Sequence, residues 1–411
     1  MPEESRAEMD NKITEWYKTV NKKIGSVKDL SKFLGPYPID FEDFYGQQMN
    51  EYVNTDSIRH FIAGSGDRNP LWWNEEYAKK SRWGGIIAPP MFTDWICAPW
   101  TARRVESPSP MPWGFIGLPS GVKREILQPI RPGDKIKVHE KWLGLTERQS
   151  RAETRRFRLF FNTDQRTYIN QTGQPVAIVE GTWVILATYE RPSEAKEPLF
   201  AGGVRKRHKL TDKERDAIGR GYDTETRRGA NTLFWEDVNV GDELKQLVAG
   251  PISSWDVTAF FVAAPGRAMA FDMEWERIKS DFNFAWLNPE VNAWFCGGEG
   301  HLHDGASITP LVTGGYAFAL GGHIEWLISR VICNWMGDDA VLKRCQVQFR
   351  AAPIRGDVIT VKAKVIGKST EGGEHVVELE VGAANQDGLM LVPGTATVRL
   401  LSRGEAKSKT K

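Results

Sequence analysis

PIRPGDKIKVHEKWLG (Pro129–Gly144) recurs later in the chain as PIRGDVITVKAKVIG (Pro353–Gly367). Each stretch opens with a Pro-Ile-Arg turn closed by Gly-Asp. Each then runs into alternating apolar and polar residues, the period-two pattern of a strand with one buried face. A second pair, NQTGQPVAIVEGTWVILA (Asn170–Ala187) and NQDGLMLVPGTATVRLL (Asn385–Leu401), repeats the sequence of turn and strand. The offsets within the two pairs, 224 and 215 residues, differ only by loop-length changes, and the order is preserved. The chain is a tandem duplication of one unit, and two copies do not make a solenoid.

Working outward, each copy shows the same parts. FEDFYGQ (Phe41–Gln47) or FWEDVNVGDEL (Phe234–Leu244) leads into an amphipathic stretch, DSIRHFIAGSGD (Asp56–Asp67) or WDVTAFFVAAPGR (Trp255–Arg267). An apolar segment opened by proline follows, IIAPPMFTDWICAPWTARRV (Ile86–Val105) or ITPLVTGGYAFALGGHIEWLISRVICNWMG (Ile308–Gly337). Phe92, Trp95 and Ile96, and then Tyr316, Leu320, Ile324, Leu327, Ile328 and Val331, have helical spacing and predict central helices. A buried helix followed by an antiparallel sheet that wraps it is an α+β unit. The predicted boundaries are a helical N-terminal extension (1–40), a first domain (41–191), a linker (192–232), a second domain (233–402) and a disordered tail (403–411). Within the linker, Thr211 and Glu214 have capping-box spacing and predict a short helix. Arg205 to Lys209 read as a solvated basic run.

The 54 Lys and Arg nearly balance the 53 Asp and Glu of this 411-residue chain, so no net field draws it to nucleic acid or an anionic bilayer. Cys97, Cys296, Cys333 and Cys345 form no CxxC pair or metal spacing. The N-terminus lacks the apolar core of a signal peptide, and no window reaches the roughly 18 apolar residues of a membrane span. These features predict a cytoplasmic protein. The 16 tryptophans predict large apolar core and interface volume.

FIAGSGDRNPLWWNEEYAKKSRWGGIIAPPMF (Phe61–Phe92), PIRPGDKI, NQTGQPVA and LKRCQVQFRAAPIRGDVITV (Leu342–Val361) together resemble the MaoC-like acyl dehydratases. The first half is similar to the fatty-acid-synthase-type dehydratase domain. The resemblance implies a double hotdog, in which two curved antiparallel sheets each wrap a long central helix and pair as a pseudo-dimer. It also implies a hydratase/dehydratase acting across C2–C3 of an acyl thioester, with acyl-CoA as substrate, no cofactor and no metal. Chains of this kind are expected to form a homo-oligomer. The alternatives are a silent acyl-CoA-binding subunit of a hydratase complex and a hotdog thioesterase.

The family motif is DxNPxH. Asp67, Asn69 and Pro70 match it, but Trp72 stands at the histidine, and an indole cannot exchange a proton at neutral pH. Trp72 and Trp73 are therefore expected to wall the acyl pocket. In the second copy, one alignment puts Arg267 at the aspartate; another, through WLNPEVN (Trp286–Asn292), puts Trp286 there and Val291 at the histidine. HLHD, ahead of the central helix, offers His303, or alternatively His301, as the imidazole. The carboxylate is assigned to Asp67 or Asp304. Backbone amides near Gly314 and Gly315, with Pro89 at the equivalent turn of the first half, are expected to hold the enolate oxygen. Arg344, Arg350 and Arg355 are candidates for CoA phosphates, against the plainer reading of a solvated strand face. His323 reads as a core histidine partnered by Glu299 or Tyr316, His60 as a surface residue, and Glu75 and Glu76 as a solvated helix face.

Overall fold

The computed structural model describes residues 5–33, 48–99, 115–148, 156–189, 205–264 and 285–408, with 199, 271 and 275. Arg267 and residues 192–198 and 200–204 of the predicted linker lie outside the described residues. Ten strands form one antiparallel sheet. In chain order these are β1 (Val27–Asp29), β2 (Phe115–Ile126), β3 (Lys137–Arg148), β4 (Phe157–Ile169), β5 (Pro175–Thr188), β6 (Leu247–Ala249), then, after a separate β7 (Trp286–Asn288) and β8 (Ala293–Phe295) hairpin, β9 (Val341–Gln348), β10 (Ile359–Glu371), β11 (Glu374–Ala384) and β12 (Met390–Arg399). The spatial order β1-β3-β4-β5-β2-β9-β12-β11-β10-β6 reads as two copies of one pattern meeting head to head at β2 and β9. Gly121 pairs with Gln348 at that junction, where an added Cβ would stand 2.8 Å from the Val347 carbonyl oxygen.

The duplication is visible bond by bond. In the first half Asp134 accepts the Arg131 amide at 2.7 Å; in the second Asp357 accepts the Ile354 amide at 2.9 Å. Both turns need glycine, because Gly133 and Gly356 each sit at φ +97°. Gln171 and Gln386 brace those turns in the same way, accepting the Lys135 and Val358 amides at 3.0 and 2.8 Å. Asn170 and Asn385 each close the next turn on the residue four along, at 3.0 and 2.9 Å.

Matched helices precede these turns in the chain, and α1 (Arg6–Asn21) lies apart against β3, β4 and β5. Helix α2 (Thr55–Ser65) is capped by Asn54 with Ser57. The short α3 (Glu75–Lys80) and α4 (Thr93–Cys97) follow in the first half. The predicted linker helix, α5 (Asp212–Asp223), carries the Thr211–Glu214 capping box. Helix α6 (Ser254–Ala263) is capped by Ser253 with Asp256, the counterpart of α2. Helices α2 and α6 cross so closely that a Cβ on Gly64 would fall 2.3 Å from the Ala263 Cβ and 2.6 Å from the Ala259 carbonyl oxygen. Gly64→Ala should therefore overpack the contact between halves and cost about 1–3 kcal/mol in urea unfolding. Gly219→Ala, with open space around it, is the control and should not destabilise.

The second half wraps a 16-residue central helix, Gly321–Met336, whose buried face includes Ile324, Trp326, Ile328, Val331 and Ile332. The helix starts later than the sequence suggests. Thr309–Val312 forms a separate turn of helix, and Gly314 and Gly315, at φ +72° and +99°, break the chain before the long helix begins. In the first half the described part of the matching helix is α4. Residues 403–408, expected within a disordered tail, form a helical turn. Between the halves, fully buried Arg124 on β2 binds Asp94 of α4 at 2.8 Å and Glu325 of the central helix at 2.7 Å. The Trp326 indole donates to the same Asp94 at 2.8 Å. Its ring sits 4.5 Å from both Phe61 and Phe260, one from each half. No described helix is long and apolar enough to cross a membrane.

Candidate active site

Each copy of the motif loop carries a 3-10 turn, of three residues in the first and five in the second, although their sequences differ. In the first, a 3-10 turn, Pro70–Trp72, ends on Trp72, and the Asp67 side chain accepts the amide two residues on, Asn69, at 3.0 Å. In the second, a 3-10 turn, Gly297–His301, ends on His301, and the Cys296 sulfur accepts the amide two residues on, Gly298, at 3.3 Å. The interval from Cys296 to His301 equals that from Asp67 to Trp72. Trp72 and His301 are both buried. A further register agrees: Ala88 donates to Ile130 and Ala319 donates to Pro353, each at 2.8 Å, fixing the strand-like entry to the two central helices. By interval His301 stands to Cys296 as Trp72 stands to Asp67, while as N-cap of its 3-10 turn Cys296 takes the place that Asn69 holds in the first copy. At these places the first copy has a carboxylate and no imidazole, and the second an imidazole and no carboxylate.

In the first copy the indole occupies the dyad's geometry. Trp72 Nε1 donates to Asp67 Oδ2 at 3.1 Å. Burial pushes the Asp67 carboxyl above the ordinary carboxylate range, against the opposing pull of the Asn69 amide, the Trp72 indole, Arg330 and Arg227. Asn69 caps the turn through Leu71 and donates to Asp338 at 3.2 Å, so its side chain pins the loop to the end of the other half's central helix. A buried carboxyl whose folded pKa lies above its unfolded value destabilises the fold increasingly as pH rises from about 4 through the folded value. Trp72→Phe removes the one side-chain donor to Oδ2 among the described residues. It should cost about 1–3 kcal/mol, more at pH 8 than at pH 5, in melts across that range. Trp73, expected to wall the acyl pocket, is 45% exposed, with its indole N–H toward the Arg68 carbonyl. Pro89 is buried at the helix entry, where its carbonyl accepts the Phe92 amide at 3.0 Å.

In the second copy the two imidazoles part company. His301 packs edge-on against Phe318 and Phe261, with ring centroids 4.7 and 5.5 Å away. Its Nδ1 lies 2.8 Å from the Phe318 carbonyl oxygen. A backbone acceptor at Nδ1 fixes the neutral ring as the Nδ1–H tautomer and directs the basic lone pair to Nε2. His303, the first choice from sequence, is 63% exposed and pairs with Glu299 at 3.1 Å, facing the surface. Asp304 is fully occupied as a clamp: it accepts from Arg207 at 3.0 Å, Arg355 at 2.8 Å and the Ala317 amide at 2.9 Å. Despite partial burial, these donors hold its carboxyl below the usual range. It ties the loop to the approach of the central helix and has no oxygen to spare for proton transfer.

The start of the central helix lies past the turn at Gly314 and Gly315. Gly315 N–H is bonded to the Thr309 carbonyl at 3.0 Å, whereas the central helix begins at Gly321 with no side-chain cap on Leu320. Among the described residues the Gly321 and Gly322 amides of that first turn meet no backbone acceptor, as the first turn of a helix requires. Gly321 must be glycine, because the Phe349 ring lies 2.3 Å from where its Cβ would stand. His323, two residues on, stacks on Phe260 at 5.1 Å rather than meeting Glu299 or Tyr316. Burial lowers its pKa to about 4, so this ring is neutral at the helix start. Sequence reasoning missed Cys296; the five-residue interval ending on His301 was the available signal. Trp286, proposed at the aspartate position, lies in the β7–β8 hairpin, and Val291 at its tip is 60% exposed.

The arginines assigned to CoA phosphates share no partner among the described residues. Arg344 binds Glu371 and Thr397 across the strand face, Arg350 meets Gln348, and Arg355 belongs to the Asp304 clamp. No cluster of three or more metal-ligating side chains occurs among the described residues.

Residues 43–179 match the family model described as FAS1-like, dehydratase domain region. No curated protein matches the chain by sequence. A solved MaoC-like dehydratase aligns over 93% of this chain and 99% of its own, with 18% identity and TM-score 0.56. A MaoC-domain dehydratase from Chloroflexus aurantiacus covers 93% of this chain and 96% of its own at 13% identity, TM-score 0.51. At these identities the structural likeness speaks for the fold. The chain thus has the fold of the MaoC-like dehydratases, a double hotdog, and its residues 43–179 match the FAS1-like dehydratase domain region.

Proposed function

We propose that the chain is a hydratase/dehydratase acting across C2–C3 of an acyl-CoA thioester, and that its working site lies in the second half. The observation that carries this reading is His301: a buried imidazole, oriented through Nδ1 by the Phe318 carbonyl, at the place where the first copy has Trp72. In hydration, Nε2 of His301 takes a proton from water as the water oxygen bonds to C3. The C2–C3 π electrons move to C2 and the thioester oxygen, giving an enolate. The amides of Gly321 and Gly322 steady that oxygen, aided by the positive end of the helix dipole. The imidazolium then returns its proton to C2, which closes the atom and charge balance; dehydration is the reverse.

With Cys296 at the aspartate position, the second copy works with one imidazole rather than a dyad. The Phe261 and Phe318 rings beside His301 suit an apolar acyl group. A second reading, a silent acyl-binding subunit, is favoured by the sealed Asp67–Trp72 pair of the first copy. Product analysis separates the possibilities. Incubation of the purified chain with a 2-enoyl-CoA should yield the 3-hydroxyacyl-CoA with its thioester intact. Unchanged substrate selects the silent subunit, and free thiol with the double bond retained selects a thioesterase.

A further inference from the structure

A cavity of about 280 Å³ opens where residues 225–231 pass the last turns of the second-half central helix and the approach to β6. It lies outside the site assigned above and its argument is independent of that assignment. Three cations line it, Arg227, Arg228 and Lys245, with one carboxylate, Glu225, giving a local balance of +3 − 1 = +2. That carboxylate is already used. It accepts from Arg330 at 2.8 Å and Asn334 at 2.7 Å and pairs with Arg227 at 3.0 Å. These donors hold it in its charged form, below the usual carboxylate range despite burial.

The cations are less fully used. Arg227 Nε is shielded from solvent and has no hydrogen-bond partner among the described residues. Arg228 spends its Nε on the Trp335 carbonyl at 2.7 Å, and its two terminal nitrogens meet no acceptor among the described residues. The Lys245 ammonium donates one bond, to the Thr224 carbonyl, and has two further N–H groups. A buried donor left unpaired costs about 1–3 kcal/mol, so a site that retains one gains when an acceptor arrives. Planar guanidinium forks match the oxygens of phosphate, and Val331, Leu247 and the Trp335 ring give the same cavity an apolar side.

We propose that this cavity binds a phosphate monoester dianion, its phosphate on Arg227, Arg228 and Lys245 and its organic part against Trp335. A dianion neutralises the local +2 charge; a monocarboxylate leaves one charge unmatched. The test is calorimetric titration of the full chain with inorganic phosphate at constant ionic strength, with acetate as the second probe. One saturable phosphate site per chain is expected, with acetate weaker by about tenfold or more. Arg228→Gln and Lys245→Gln should each weaken phosphate by about tenfold. Thr226→Glu, at an exposed position on the cavity rim, adds a competing charge and should abolish binding while thermal melting confirms an intact fold. Lys362→Gln, exposed on β10, should change nothing. Absence of saturable heat, equal binding of acetate, or phosphate binding that survives Thr226→Glu would overturn the proposal.

Discussion

Replacing His301 with glutamine should lower the rate of 2-enoyl-CoA hydration by about 10²–10⁴-fold, the usual worth of a positioned general acid/base. Glutamine can keep a bond to the Phe318 carbonyl through its amide, but it cannot take up a proton near neutral pH. The loss should fall on kcat, with KM little changed, because the imidazole acts when the proton moves and not when the acyl group binds. His303→Gln is the matched comparison. That ring is 63% exposed and faces Glu299, so its replacement should leave turnover within about twofold of wild type. The opposite ranking of these two variants would return the acid/base role to the surface imidazole and remove the argument from burial.

The largest expected loss of stability follows Arg124→Met. Arg124 is the shared cation for Asp94 and Glu325, all three being at most 1% exposed. Removing it leaves two carboxylates from different halves facing each other in a dry interior. Breaking a buried ion pair from one side costs about 3–5 kcal/mol, because the remaining charge loses its partner. Burial raises both carboxyls from their ordinary values while Arg124 pulls them down, so without it each would bind a proton more tightly. The deficit should therefore grow as pH rises from about 5 to 8 and shrink toward acid, where both groups become neutral. Urea unfolding of wild type and variant at both ends of that range measures it. Loss of less than about 1 kcal/mol at pH 8 would mean that the cluster does not bridge the halves in solution.

The fold was legible because turns carry strong chemistry. A Gly-Asp pair that needs φ +97° and an Asn-Gln turn that folds back on its own amides recur as short, nearly literal strings, and they return as matching hydrogen bonds at Asp134 and Asp357, Asn170 and Asn385. The candidate site was legible only in part. Asp67 and the indole at the histidine position could be read directly. The second copy could not, since CGGEGH shares no letter with the motif except its last, and the Asn-Pro of WLNPEVN drew the alignment to a hairpin instead. Pro310 likewise suggested the start of the central helix. After the backbone bond from Ala319 to Pro353 the helix starts at Gly321, eleven residues past Pro310, and for that reason Gly321 and Gly322 rather than Gly314 and Gly315 are the proposed enolate donors. Burial decided between His301 and His303, and two residues apart on a loop they have no distinguishing pattern in sequence.

The most direct test of proton transfer by His301 is hydration carried out in D2O, with the product examined by proton NMR at C2. The wild-type chain should place one deuterium at C2 with a fixed stereochemistry, and the His301→Gln chain should place deuterium there about 10²–10⁴-fold more slowly. Deuterium arriving at C2 at the wild-type rate in the His301→Gln chain would contradict the account.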